Sequence, residues 1–265
     1  MNGLRPICVA LLVLMAGPGR ADGPSDLKAG PVGRVTEVID GDTVRVLGHD
    51  ADVRLIGLQA PKLPLGRAGF KAWPLADEAK AALSDLVEGR EVALRLGETA
   101  RDRNGRTLAH VVRDDGTWVQ DEMLRRGWAR VYTFPDNRRL AAQLYAAEAE
   151  ARAASRGIWS RPFYAVRAAD PMTLRADIGS FQIVAGRVVD AARVRERVYL
   201  NFGADFRTDF TVSLDRDAQD LFAAAGLDPL ALEGRIVEAR GWLTSRNGPM
   251  IEATHPEQVV VLSAD

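Results

Sequence analysis

The sequence has almost no cysteine, since Cys8 is the only one among its 265 residues. Cys8 lies in the apolar amino-terminal segment that we expect to be removed as a signal peptide. The mature chain would then have no thiol for a disulfide or a zinc–thiolate site. The sequence also lacks a P-loop, a glycine-rich dinucleotide motif, a nucleophile elbow and a paired-histidine zinc motif. The isolated residues His49, His110 and His255 are interpreted as ordinary polar residues. Enzyme classes built on those motifs are therefore excluded.

Long apolar runs are also missing, because no run reaches the roughly 20 residues that a membrane-spanning helix needs. Arg5, the apolar residues 7–16 and the small-residue segment 19–21 follow the order of a secretory signal peptide. We therefore expect residues 1–21 to be a cleaved signal peptide rather than a membrane anchor, with export to the periplasm or the medium and no membrane span afterwards. Residues 22–30 are rich in Gly, Pro and Asp and predict a flexible linker.

Neither sign of charge dominates, because 35 Lys and Arg residues face 36 Asp and Glu residues. Removal of residues 1–21 takes away two arginines and no acidic residue, which leaves 33 basic against 36 acidic residues. The overall field therefore gives little long-range attraction for a polyanion. A phosphate-bearing partner would have to be held by a local cluster of basic side chains.

The hydrophobic pattern of residues 31–160 predicts strands interrupted and followed by helices. The predicted strands are residues 32–39, 43–47, 53–56, 91–96 and 107–112. The predicted helices are residues 75–87, 118–126 and 138–155. This order indicates a mainly β fold of the α+β class: an OB-type five-stranded β-barrel capped by helices.

Residues 170–265 are predicted to form a second, smaller OB-like β-barrel domain. The predicted elements are strands at residues 181–189, 197–202, 210–214, 235–243 and 258–262 and a helix at residues 217–225. The turn at residues 245–249 resembles the last hairpin of OB-type nucleic-acid-binding modules. With 10 basic and 15 acidic residues, however, the segment favours a packing or protein-contact role over a grip on a phosphate backbone.

Four charged residues of the first unit have chemical interest, although each has a plain structural alternative. Asp40 and Asp42 belong to a predicted hairpin turn, which is often a solvated turn and nothing more. Arg54 stands in an apolar strand, where a buried guanidinium would need a fixed anionic partner and an outward-facing one would not. Arg106 follows an Asn-Gly turn, where exposed arginines are common.

Five separated motifs set these residues in a recognisable order. They are VIDGDTV (residues 38–44), VRLIGLQAP (53–61), DRNGRTLAH (102–110), EMLRRGWARVY (122–132) and ASRGIWS (154–160). Over about 130 residues the chain resembles the staphylococcal nuclease family. The resemblance implies hydrolysis of DNA or RNA phosphodiesters with Ca²⁺, by metal-binding carboxylates, two arginines and a glutamate base.

The resemblance assigns expected roles to the charged residues. Asp42 matches the first metal ligand and Asp40 a nearby carboxylate that reinforces the site. Arg54 and Arg106 match the catalytic pair that grips the phosphate, where bidentate donors stabilise the charge of the transition state. Arg103 matches a basic substrate contact.

Two further pairs of positions complete the expected site, one matching the family and one departing from it. Tyr132 and Phe134 match aromatic residues that accompany the nucleotide, with packing as the alternative role. Gln59 replaces the second metal-binding aspartate, and its amide oxygen can ligate Ca²⁺ but brings no charge. Lys62 replaces the glutamate base; its ammonium cannot accept a proton but can bind phosphate.

Three interpretations therefore compete. The first is an exported Ca²⁺-dependent nuclease with a rearranged site, in which Asp77 or Glu78 supplies a missing carboxylate. The second is an inactive nuclease-like module that binds nucleic acid, a nucleotide or another anion, with help from Lys62 and Arg67. The third is an envelope scaffold whose C-terminal domain contacts a protein partner. The retained acid and arginines favour the first.

Overall fold

A computed structural model describes residues 23–262, which divide into two compact units at Tyr164 and Ala165. The predicted signal peptide, residues 1–21, lies outside the described residues. Within the described range, no helix is both long enough and apolar enough to cross a membrane. Each unit is described in turn.

The N-terminal unit contains a closed barrel of five strands in the order β1-β2-β3-β6-β5 and a separate two-stranded ladder, β4-β7. Its strands are β1 (Lys28–Asp40), β2 (Thr43–Val46), β3 (Val53–Leu55), β4 (Leu58–Gln59), β5 (Glu91–Arg101), β6 (Thr107–Arg113) and β7 (Arg130–Val131). Its helices are α1 (Ala76–Val87), α2 (Val119–Arg125) and α3 (Ala141–Ala153), with 3-10 turns at Pro24–Asp26, Gly157–Ser160 and Pro162–Tyr164. The predicted helix-capped five-stranded barrel is confirmed.

One predicted boundary is wrong in part. Residues 22–30 were expected to form a flexible linker, but β1 begins at Lys28. Lys28 and Ala29 pair with Leu96 and Arg95 of β5, so the barrel sheet extends into the predicted linker. The Gly and Pro content of this segment suggested a tether, whereas the long strand β5 provides partners for its backbone.

The core of this unit is formed by the inward-facing side chains of the barrel strands and the apolar faces of α1, α2 and α3. In β1 the pattern places Val35 and Val38 inside, and α1 contributes Ala79 and Leu83, all at most 3% exposed. Burial of apolar surface on this scale is the main force that closes the barrel. The turn between β1 and β2 is thereby pressed against α1.

Gly41 shows how tight that contact is. A Cβ atom at Gly41 would lie 2.6 Å from the Cβ of Ala60 and 3.0 Å from the Cβ of Ala79. Only glycine allows the turn to approach α1 this closely. The carboxylates on either side of Gly41 are therefore held in a buried position rather than in a solvated turn.

The C-terminal unit contains an eight-stranded sheet in the order β10-β11-β12-β14-β13-β9-β8, with β15 paired to β13. Its strands are β8 (Arg167–Ala168), β9 (Phe181–Arg187), β10 (Asp190–Val194), β11 (Arg197–Asn201), β12 (Thr211–Leu214), β13 (Ile236–Ser245), β14 (Pro249–Glu252) and β15 (Val259–Leu262). Its helices are α4 (Pro171–Leu174) and α5 (Arg216–Ala224). β12 and β14 are parallel, and β13 and β14 form the expected last hairpin. The sheet is not traced as a closed barrel, so the predicted second barrel is not confirmed.

Candidate active site

Asp42 lies at the centre of the candidate site, immediately before β2, with 0% of its surface exposed. Its Oδ2 accepts a hydrogen bond of 2.9 Å from the backbone N–H of Ala60, and its Oδ1 accepts one of 3.3 Å from the Thr43 hydroxyl. Its own backbone N–H donates to Oδ1 of Asp40 at 3.0 Å. A buried carboxylate is stable only when its oxygens are satisfied in this way.

Arg54 supplies one of the two cations beside Asp42. A guanidinium nitrogen of Arg54 lies 3.2 Å from Oδ2 of Asp42. The same group donates to the backbone carbonyls of Leu55 at 2.5 Å and Leu58 at 2.7 Å. Of the two alternatives that the sequence left open for Arg54, the structure shows the buried guanidinium with an anionic partner and not the outward-facing one.

Lys62 supplies the second cation. Its Nζ donates to both carboxylate oxygens of Asp42, at 2.7 Å and 2.5 Å, and lies 3.6 Å from Oδ2 of Asp40. Only 19% of the side chain is exposed. Lys62 was expected to bind substrate phosphate, whereas the structure directs its ammonium at the two carboxylates.

The charges in this cluster perturb one another. Burial raises the pKa of Asp40, and the charge of Asp42 raises it further, against the opposing effect of Lys62 and Arg54. Burial alone would also raise the pKa of Asp42, but the nearby charges of Arg54 and Lys62 lower it well below its usual range. Asp42 is therefore a firmly ionised group at neutral pH.

Gln59 is not positioned as a metal ligand, which corrects the sequence-based expectation. Its side-chain oxygen accepts two hydrogen bonds from Arg130, at 3.0 Å and 2.8 Å. Gln59 and Arg130 face each other in the β4–β7 ladder, and Arg130 is only 2% exposed. Both lone pairs of the amide oxygen are thus used by a neighbouring cation.

Arg130 is a residue that sequence reasoning missed. Its guanidinium carbon also lies 5.7 Å from the ring centre of Trp73 and 5.8 Å from that of Tyr164. The signal was available, because an arginine between Ala129 and Val131 poses the same question of a buried charge as Arg54 does.

Arg106, the second predicted catalytic arginine, immediately precedes β6 and is more exposed. Its Nε and one terminal nitrogen each lie 2.7 Å from Oδ2 of Asp102, and 32% of its side chain is exposed. β3 and β6 are parallel, with Arg54 in register with Leu108. Because alternate residues of a strand share a face, Arg106 lies diagonally beside Arg54 on the same face of the barrel. The register therefore places the two predicted arginines on one face of the barrel.

The predicted substrate contacts lie nearer the surface. Arg103 is exposed in the turn between β5 and β6. Tyr132 and Phe134 follow β7 and form an edge-to-face pair with ring centres 4.9 Å apart, and Phe134 is 49% exposed. The role of these three residues in substrate binding stays a prediction.

The residues present do not fit a Ca²⁺ ion as arranged. Among residues 23–262, no group of three or more His, Cys, Asp or Glu side chains could hold a metal ion. Asp77 and Glu78, the expected replacement carboxylates, are exposed in the first turn of α1. The space beside Asp42 that an ion would use holds the Lys62 ammonium instead.

Comparison with known proteins agrees with the fold and the motifs. The family described as staphylococcal nuclease homologue matches residues 52–161. An uncharacterized endonuclease of Escherichia coli is 33% identical over 130 residues, which are 48% of this chain and 76% of that protein. The thermonuclease of Staphylococcus hyicus is 28% identical over 172 residues, 60% of this chain and 96% of that protein.

Endonuclease YhcR of Bacillus subtilis (strain 168) is 30% identical over 138 residues, 48% of this chain. The chain spans only 11% of that longer protein, so it matches a single part of it. The barrel, the order of the motifs and these similarities lead to one assignment. This chain belongs to the staphylococcal nuclease family.

Proposed function

We propose that the N-terminal unit acts on nucleic acid, binding the phosphodiester at the barrel face that carries Arg54 and Arg106 and hydrolysing it slowly. The observation that carries the proposal is the parallel register of β3 and β6, which places Arg54 and Arg106 on the same face of the barrel. Paired guanidinium groups suit a phosphate, because they donate planar, bidentate hydrogen bonds and stabilise charge that develops on its oxygens. Membership of a family that includes endonucleases supports the same substrate class.

The site lacks one catalytic component, which is why hydrolysis is proposed to be slow. A protonated lysine cannot accept a proton from water, and Lys62 stands where the family has a glutamate base. Loss of general-base assistance typically costs about a hundredfold to ten-thousandfold in rate. Arg54 and Arg106 retain their electrostatic contribution to the transition state.

The test is cleavage of labelled single-stranded DNA and RNA by a chain that begins after residue 21. Arg106→Ala should lower the cleavage rate by about a hundredfold to a thousandfold, the usual effect of removing one donor to a developing oxyanion. Arg90→Ala is the matched control, because Arg90 is an exposed arginine in the turn before β5. Cleavage that is equally fast in wild type, Arg106→Ala and Arg90→Ala would refute the assignment.

A second candidate is a binding module without hydrolysis. Lys62 favours it, because an ammonium held by Asp42 cannot act as a general base. Filter binding across a salt series distinguishes the two. Phosphate contacts make affinity fall steeply with salt, and Arg106→Ala should reduce the salt slope by about one contact. Salt-dependent binding with no cleavage would select this candidate.

The location and the partners are proposed on narrower grounds. Residues 1–21 support export, and amino-terminal sequencing of the secreted protein would show whether cleavage follows Ala21. The acidic balance of residues 170–265 supports a protein contact for the C-terminal unit. The Ca²⁺ requirement implied by the family is the remaining question, and it depends on Lys62.

A further inference from the structure

We propose that the Lys62 ammonium is the resident cation of this site and takes the place of a divalent metal ion beside Asp40 and Asp42. The site would then be assembled without Ca²⁺, and any phosphodiester bound there would meet a fixed organic cation. The second part rests on the proposed function, whereas the first concerns the folded protein alone.

The distances exclude simultaneous occupancy by lysine and metal. Ca²⁺ binds carboxylate oxygens at about 2.3–2.6 Å. Nζ of Lys62 lies 2.5 Å from Oδ2 and 2.7 Å from Oδ1 of Asp42, which is nearly the same separation. An ion at that place would overlap the ammonium and be repelled by its charge. Lys62 must leave before a metal can bind Asp42.

The fold holds Lys62 in this position. The backbone carbonyl of Lys62 accepts a hydrogen bond of 2.9 Å from the N–H of Trp73, which closes the loop that follows. Two residues earlier, the N–H of Ala60 donates to Asp42 itself at 2.9 Å. The segment that carries the lysine is thus tied to the carboxylate that the lysine neutralises.

The second departure from the family acts in the same direction. At position 59 the amide oxygen is occupied by the guanidinium of Arg130, at 2.8 Å and 3.0 Å. Arg130 itself is 2% exposed and lies opposite Gln59 across the β4–β7 ladder. Asp42 and Gln59 were both expected to be metal ligands. Each is therefore paired with a basic side chain of the protein, Asp42 with Lys62 and Gln59 with Arg130.

The charges of the central cluster balance without an external ion. Asp40 and Asp42 provide two carboxylates, and Arg54 and Lys62 provide two cations within 3.6 Å of them. Two buried carboxylates that depended on a bound metal would repel each other in its absence. Here the lysine removes that dependence, so chelators and Ca²⁺ should not alter the stability of the fold.

The experiment measures the melting temperature of the chain from residue 22 onward in EDTA and in millimolar Ca²⁺. Wild type should melt at the same temperature in both. Lys62→Gln should melt lower in EDTA, by on the order of 5 °C, because two buried carboxylates lose a partner. Lys62→Glu adds a third carboxylate, so Ca²⁺ should restore a large part of its loss. Lys62→Arg keeps a cation and should remain insensitive to Ca²⁺.

Lys71→Gln is the matched control, because Lys71 is an exposed lysine near the end of the same loop and should change nothing in either buffer. A Ca²⁺-dependent rise in the wild-type melting temperature that Asp42→Asn abolishes would overturn the proposal. So would a Lys62→Glu protein that folds and does not respond to Ca²⁺.

Equilibrium dialysis of wild type with radioactive Ca²⁺ keeps the proposal testable even where the variants fail to fold. Binding of one Ca²⁺ per wild-type chain overturns it, and no such binding supports it. Neither readout uses nucleic acid. A chain that neither cleaves nor binds nucleic acid would refute the proposed function while leaving the result on Lys62 intact.

Discussion

Replacing His110 by phenylalanine should flatten the pH dependence of stability of the N-terminal unit. His110 lies in β6, is 4% exposed and has no hydrogen-bond partner at Nδ1 among the described residues. Burial lowers the pKa of His110 to about 3. The folded protein therefore keeps the imidazole neutral at pH values where the unfolded chain, with a pKa of about 6.5, takes up a proton.

The magnitude follows from that difference in proton uptake. The stability contribution is fully present above pH 6.5 and is lost as the pH falls toward the folded pKa, at about 1.4 kcal/mol per pH unit. Between pH 7.5 and pH 5, wild type should lose about 2 kcal/mol through His110, and His110→Phe should not. This range avoids the titration of most carboxylates.

Urea unfolding followed by tryptophan fluorescence is a suitable assay, because four of the five tryptophans lie in the N-terminal unit. His110 borders a cavity of about 240 Å³ that also carries Lys28, Glu98, Arg138 and Arg139. These four charged residues are the same in both proteins, so the difference between the two pH slopes isolates the histidine. Equal slopes in wild type and His110→Phe would refute the reasoning.

Three further predictions concern packing and charge. Gly127→Ala should destabilise the chain by about 1–3 kcal/mol more than Gly89→Ala. Both glycines have positive φ, but a Cβ at Gly127 would lie 2.3 Å from a backbone carbonyl oxygen, whereas a Cβ at Gly89 would meet nothing within 4 Å. In the C-terminal unit, Arg240→Met should cost about 3 kcal/mol by calorimetry because it leaves buried Glu238 without this partner, and a double change to apolar residues should recover most of it. Arg106→Ala should lower stability by at most about 1 kcal/mol in urea unfolding, since its ion pair is partly exposed.

The long elements of the N-terminal unit were predictable because their patterns are regular. β1 is rich in β-branched residues and α1 carries an apolar stripe, so local residues determine the type of element. The ladder of β4 and β7 could not be predicted, because each strand has only two residues and the partners are 71 positions apart. A pairing that depends on the closed barrel leaves no local signal.

In the C-terminal unit, β10 was not predicted from the sequence, and its composition explains why. β10 reads Asp-Ala-Ala-Arg-Val, which has one β-branched residue, at its end, and no aromatic residue, the types most common in strands. It forms because β11 offers a complete antiparallel register from Asp190 to Val194. Tertiary pairing thus overrides weak local preference.

The candidate site was predictable in its residues and only partly in its arrangement. Burial was one of two alternatives for Arg54 in its apolar strand, and its partner Asp42 was among the predicted residues. The contact of Lys62 with Asp42 was not predicted, because it spans 20 positions and depends on the fold of the intervening loop. A lysine at position 62 suggested a contact with substrate phosphate. Because Lys62 is largely buried beside Asp40 and Asp42, it forms an ion pair inside the protein instead.

This pairing changes what the retained residues mean. The presence of Asp42 and Arg54 in the sequence favoured catalysis, yet a role in folding stability explains both residues. Asp42 accepts hydrogen bonds inside the fold, and Arg54 donates to backbone carbonyls as well as to Asp42. Their loss would disturb folding whether or not the chain cleaves nucleic acid. Arg106 is different, because its side chain is partly exposed and it forms an ion pair with Asp102 in its own turn. Activity lost in Arg106→Ala without loss of stability is therefore the result that separates catalysis from structure.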